Sequence, residues 1–144
     1  MKKLLTAAVA AFAVVLAGCA GSGGAGGPYK VIYHINEGNE QATDGLRNAN
    51  NQLTVDPSAK IVFVTHSKGV NFLMKGAKDK NGNKYEDLIE GLKRRGVEFQ
   101  VCEITLQRSK RTKDQFIEYA SFVPSGVGQV TKLQQEEGYA YLKP

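Results

Sequence analysis

Five short β-forming runs, separated by stretches with helical spacing, constrain this chain more than any other feature. The runs are Lys30–Asn36, Lys60–His66, Val97–Cys102, Glu118–Val123 and Tyr139–Leu142. Between them, Gln41–Leu53 places Leu46, Ala49 and Leu53 at i, i+3 and i+7. Tyr85–Arg95 repeats Tyr85, Leu88, Ile89 and Leu92 on one helical face. Val70–Lys78 and Val127–Glu137 are read as two further helices. Gly96 and Gly138 stand where helices commonly stop, and Lys93, Arg94 and Arg95 suit the negative end of the helix dipole. Asn81-Gly82 marks a turn in the polar segment 78–84. Strands that alternate with helices predict an α/β fold, a three-layer sandwich around a mainly parallel five-stranded sheet. Lys60-Ile-Val-Phe-Val-Thr-His66 is apolar on both faces, which predicts a central strand.

The first residues carry an address rather than a fold. Lys2 and Lys3 precede an apolar run from Leu4 to Leu16 that is short for a permanent membrane span. Leu16-Ala17-Gly18-Cys19 then reads as a bacterial lipobox, with cleavage before Cys19 and lipidation of its thiol. Several acyl chains on one residue hold a protein far more firmly than one chain does. Ala20 rather than Asp follows the cysteine, which favours the outer membrane, with the domain facing the periplasm. The Gly- and Ser-rich stretch that follows is a flexible tether. The expected organisation is a signal peptide over 1–18, lipidated Cys19 and tether over 19–28, and one α/β domain over 29–144.

Charge narrows the partners. The net charge of +5 drops to +3 without Lys2 and Lys3, leaving 17 basic against 14 acidic residues. That surplus suits small anions or a membrane surface. It is too small for a nucleic-acid-binding face, and no aromatics interleave with the basic run, so no nucleic acid is expected.

The carboxyl ends of parallel strands are where such folds place ligands. The first strand ends at His34-Ile-Asn36, the second at Thr65-His66-Ser67-Lys68-Gly69 and the third at Cys102. Both histidines and the one cysteine not assigned to lipid thus fall on one edge. Cys102 alternates with Glu98 and Gln100, on the face opposite Val97, Phe99 and Val101, which predicts a polar rather than a packed setting. With Cys19 acylated it lacks an intrachain partner, a liability in an oxidising compartment unless the thiol is buried or used. Arg108-Ser-Lys110-Arg111-Thr-Lys113 follows it, and cations stabilise a thiolate. Glu103 would oppose them. His34 and His66 are candidate bases with pKa values near 7. Asn36, Ser67, Lys68, Arg108, Lys110 and Arg111 are candidate substrate-binding groups. Two histidines and one cysteine at this spacing match no compact metal motif, so neither a metal nor another cofactor is expected. Ser67 matches the Gly-x-Ser-x-Gly elbow only superficially, and no Walker or dinucleotide fingerprint is present.

The segments Tyr29–Asn36, Leu46–Leu53, Lys60–His66 with Gly69-Val70, Leu88–Cys102 and Gly138–Pro144 together resemble the DsrE/DsrF-like family of small α/β proteins linked to sulfur relay. Gly96-Val97 with Phe99 and Cys102 is the most specific piece. The resemblance covers nearly all of 29–144. It implies that Cys102 takes up sulfane sulfur as a persulfide and passes it on, and that the protein forms a trimer or hexamer. Relay members work in the cytoplasm, unlike a lipid-anchored protein, and many single-domain relatives have no established activity. The expected function is an envelope lipoprotein that binds or relays sulfane sulfur, drawn from anionic sulfur species or a donor protein. It would be a carrier or a sulfurtransferase. The alternative is a non-catalytic oligomeric scaffold in which Cys102 is a packed residue.

Overall fold

A computed structural model describes residues 27–144. The expected signal peptide, Cys19 and most of the expected tether lie outside the described residues. The strands are β1 (Lys30–Ile35), β2 (Lys60–Thr65), β3 (Glu98–Cys102), β4 (Ala120–Val123) and β5 (Ala140–Leu142). All five run parallel, in the order β4-β3-β2-β1-β5. The helices are α1 (Asn39–Val55), α2 (Tyr85–Arg94), α3 (Glu103–Ser109) and α4 (Gly126–Glu137). Among the described residues, no helix is long and apolar enough to cross a membrane.

β2 is central, as its two-sided apolarity requires. Its odd-numbered residues Ile61 and Phe63 face α1 and α2; its even-numbered Val62 and Val64 face α4. On the first face Phe63 stacks on Tyr33 and Phe99, with ring centroids 5.2 and 5.0 Å apart. Ala42, Leu46, Ala49 and Leu53 of α1 and Tyr85, Ile89 and Leu92 of α2 close that layer. The α4 face is thinner: Ile32, Val62 and Val64 meet Val130 and Leu133, with Tyr139 packed beside them. Gly96 and Gly138 both adopt positive φ, so both predicted helix stops are left-handed turns. The predicted turn at Asn81-Gly82 also forms, with Gly82 at φ 86°.

Two local elements differ from expectation. The helix expected over Val70–Lys78 is instead a 3-10 helix, Ser67–Leu73. Its buried residues Val70, Phe72 and Leu73 do not make an α-helical stripe, whereas Val70 and Leu73 eclipse at three residues per turn. Met74 then pairs with Phe116 in an antiparallel bridge, and Gly76 takes φ 74°, which ends any helix. The second difference is α3, a helix that no periodicity announces and that overlaps the basic run Arg108–Lys113 only at Arg108 and Ser109. Its last turn ends at Lys110 (φ 54°), and Arg111 folds back to donate its N–H to the Leu106 carbonyl at 2.9 Å.

Candidate functional site

Register decides which side chains meet. Thr65 of β2 pairs with Val101 of β3, and Val64 with Gln100. Alternation therefore puts His66, just past the end of β2, and Cys102, the last residue of β3 and paired with Val123 of β4, on the α4 face. His34 pairs with Val64 and lies on the same face, as does Tyr141, two residues back in register against Ile32. All three sequence-predicted catalytic residues thus share one face at one edge of the sheet.

The first turn of α4 sits over them. A Cβ placed on Gly126 would lie 3.2 Å from the Cβ atoms of both Cys102 and His66, a tight contact that glycine avoids while the helix approaches this closely. Gly69 plays a similar part beneath the 3-10 helix, where an added Cβ would strike the Ile35 carbonyl oxygen at 2.1 Å. That close approach locks the end of β2 against the end of β1.

Cys102 is buried, with 5% of its surface exposed, and is not disulfide-bonded. This corrects the polar setting expected from alternation. The face is the expected one, but α4 covers it. Burial pushes the thiol pKa up, yet the net shift is downward. The backbone N–H of Gly126, the Thr105 hydroxyl and the N–H groups of Thr105 and Ile104 outweigh burial. The cations expected to stabilise the thiolate are not the cause. The carboxylate of Glu103 is instead held by Lys113 in an ion pair.

The histidines form one hydrogen-bonded chain. His34 Nε2 lies 2.7 Å from His66 Nε2, and His34 Nδ1 lies 2.7 Å from the Tyr141 hydroxyl. His66 Nδ1 lies 2.9 Å from Ser67 Oγ. Burial, then the neighbouring His66 and Lys143, push His34 down to about 4. Burial and Lys143 also lower His66. The expectation of bases near 7 is corrected: both rings are neutral at pH 7. Among the described residues, no group of three or more His, Cys, Asp and Glu side chains is placed to hold a metal ion.

The candidate binding residues divide. Ser67, Lys68, Arg108 and Arg111 line one cavity of about 370 Å³ with Asn71, Thr105 and Ser109. Lys110 and Asn36 are not among its lining residues. Asn36 packs against Gly69 and donates its backbone N–H to Gln41 Oε1 at 2.8 Å. Thr105 connects the cavity to the thiol, since its hydroxyl also accepts the Ser67 N–H at 3.0 Å.

The sequence reading missed Thr105, Gly126, Tyr141 and Lys143. Tyr141 and Lys143 sit on and just after the last strand, and only the placement of β5 beside β1 brings them to the histidines. Gly126 carried a signal, a glycine directly after a strand and a serine cap, but its neighbours come from elsewhere in the sequence. Ser125 does cap α4, its hydroxyl accepting the Gly128 N–H at 3.2 Å.

Fold and site together define a small all-parallel α/β protein with a thiol and a coupled imidazole pair at the carboxyl edge of its sheet. The chain belongs to the DsrE/DsrF-like family, which matches residues 30–144. Its fold is similar to that of MTH1491 from Methanobacterium thermoautotrophicum, described as a protein of unknown function. That chain is 32% identical, with a TM-score of 0.72 over 81% of this chain and 99% of the other. It also resembles the ychN protein of E. coli in fold, with a TM-score of 0.61 at 14% identity, over 80% of this chain and 98% of that one. A search of curated proteins gives no match. Membership in the family points, in general terms, to sulfur relay.

Proposed function

We propose that this protein carries sulfane sulfur as a persulfide on Cys102. The observation that carries the reading is a strand-end thiol whose pKa falls despite burial, because N–H groups of α3 and α4 and the Thr105 hydroxyl face it. In the loading step, the Cys102 thiolate attacks the outer sulfur of a persulfide donor. The donor S–S bond breaks, its electron pair leaves with the donor thiolate, and a new S–S bond forms at Cys102. No outside oxidant is needed. In this reading the carrier is tethered on the periplasmic side of the outer membrane, which the lipobox pattern ending at Cys19 supports, and is reached by a donor or acceptor protein. It acts as a homo-oligomer, a trimer or hexamer, without nucleic acid or cofactor.

One observation favours a second reading: Cys102 is nearly inaccessible, as a merely packed cysteine would be. Intact mass of the full-length protein after exposure to polysulfide separates the two. A reducible gain of about 32 Da per sulfur, lost in Cys102→Ser, is the expected result. No gain, with a thiol that resists alkylation until the protein unfolds, would establish the packed cysteine instead.

A further inference from the structure

The hydrogen-bonded chain Tyr141–His34–His66–Ser67 has a property that follows from imidazole chemistry alone. A neutral ring has one N–H and one lone pair. When both rings are neutral, the three links must therefore all run in the same sense. In one sense the Tyr141 hydroxyl donates to His34 Nδ1, His34 Nε2 donates to His66 Nε2, and His66 Nδ1 donates to Ser67 Oγ. In the other, every donor and acceptor is exchanged. Whatever takes or gives a hydrogen bond at the Ser67 end thus fixes the tautomer of both rings.

The Ser67 end opens on the cationic cavity. Lys68 and Arg108 have no carboxylate partner among the described residues, and Arg111 is held by a neutral group, its Nη1 2.8 Å from Asn71 Oδ1. The Glu103 carboxylate, on the same helix as Arg108, is taken by Lys113. Three uncompensated cations around one concave site attract an anion. Ser67 itself sits at φ 52°, an uncommon conformation for a residue with a side chain, which aims a non-glycine residue at this spot. The cavity, about 370 Å³, has room for a small ion with some of its water.

We propose that this cavity is a binding site for a small tetrahedral oxyanion of the sulfate type, and that the bound anion sets the direction of the relay. Such an anion has no proton to give at neutral pH. It accepts from Lys68, from the two guanidinium groups and from the Ser67 hydroxyl. Once Ser67 donates to the anion, its oxygen accepts from His66 Nδ1. The remaining links follow, and every donor in the chain from Tyr141 inward points toward the anion. This inference goes beyond the carrier reading and stands whether or not Cys102 holds sulfur.

The chain has only two histidines, so selective ¹⁵N labelling of histidine isolates the relay. Sulfate is titrated into the labelled full-length protein near pH 7, with chloride holding the ionic strength constant. Expected is a saturable change in which His66 becomes protonated at Nδ1 and bare at Nε2, while His34 becomes protonated at Nε2 and bare at Nδ1. Arg108→Gln and Arg111→Gln should each raise the half-saturating concentration about tenfold, the weight of one charge-assisted hydrogen bond. Ser67→Ala, or Ser67→Gly where relief of the positive φ is wanted, should still bind sulfate, followed by amide shifts around the cavity, but leave both rings unresponsive. Absence of saturation would overturn the binding site. Saturation with unchanged rings would overturn the coupling, and the same response to chloride alone would overturn the preference for a tetrahedral oxyanion.

Discussion

The two faces of the sheet are built to different standards. Under α1 and α2, aromatic rings stack across three strands, and the layer is closed by two helices and the 3-10 segment. Under α4, a single helix covers three strand residues with two of its own. The thiol and both imidazoles lie at the margin of the thin face. The difference teaches that stability and reactivity here are housed on opposite sides of the same strands. β2 serves both, through alternate residues.

The comparison can be broken most forcefully at Phe63. Phe63→Ala should cost about 3–5 kcal/mol in chemical denaturation, because the ring is fully buried and stacked on two others. Leu133→Ala on α4 should cost about 2–3 kcal/mol, near the low end for a buried leucine. It should accelerate alkylation of Cys102 more than Phe63→Ala does at equal residual stability. If both variants open the thiol equally, the two faces are not separate.

A smaller and sharper test is Gly126→Ala. The added methyl meets Cβ atoms of Cys102 and His66 at 3.2 Å, so these residues or the start of α4 must give by a few tenths of an ångström. The expected stability loss is about 1–3 kcal/mol. The thiol pKa should rise, because the Gly126 N–H moves away, and the pH dependence of alkylation reads that shift directly. An unmoved profile would mean that α3 alone sets the thiol.

A further test is in acid. Folding holds His34 neutral down to about 4, whereas the unfolded ring takes a proton below its ordinary 6.5. The unfolded state therefore binds more protons in this window. The stability contributed by the neutral ring is full above pH 6.5 and is lost as the pH falls toward 4. His34→Gln should flatten the stability profile between those values. A profile that stays equally steep would assign the acid sensitivity to other groups.

Much of the fold was legible because β2 is apolar on both faces and because Gly96 and Gly138 sit at helix ends. The edge that gathers His34, His66 and Cys102 was legible for the same reason: parallel strands align their carboxyl ends. Other features depend on tertiary neighbours. Alternation gave Cys102 its face but not its cover, since the cover comes from a helix more than twenty residues later. The run Arg108–Lys113 looked like one basic surface, yet a left-handed turn at Lys110 splits it. Arg108 and Arg111 go to the cavity, while Lys113 goes to Glu103. Both ring pKa values are lowered first by burial and then by Lys143, with His66 acting on His34 as well, and no local spacing announces that cover or those partners.

The path of α4 has one more consequence. It leaves β4 at one edge of the sheet and delivers the chain to β5 at the other, passing over the central strands on the way. Edge strands are where a sheet frays first. Because one helix ties both edges, fraying at either end slackens the same tether, and the N-terminal turn of that tether is the roof over Cys102. β5 and the cover over the thiol thus hang on one helix, which gives loosening at the far edge of the sheet a direct route to Cys102.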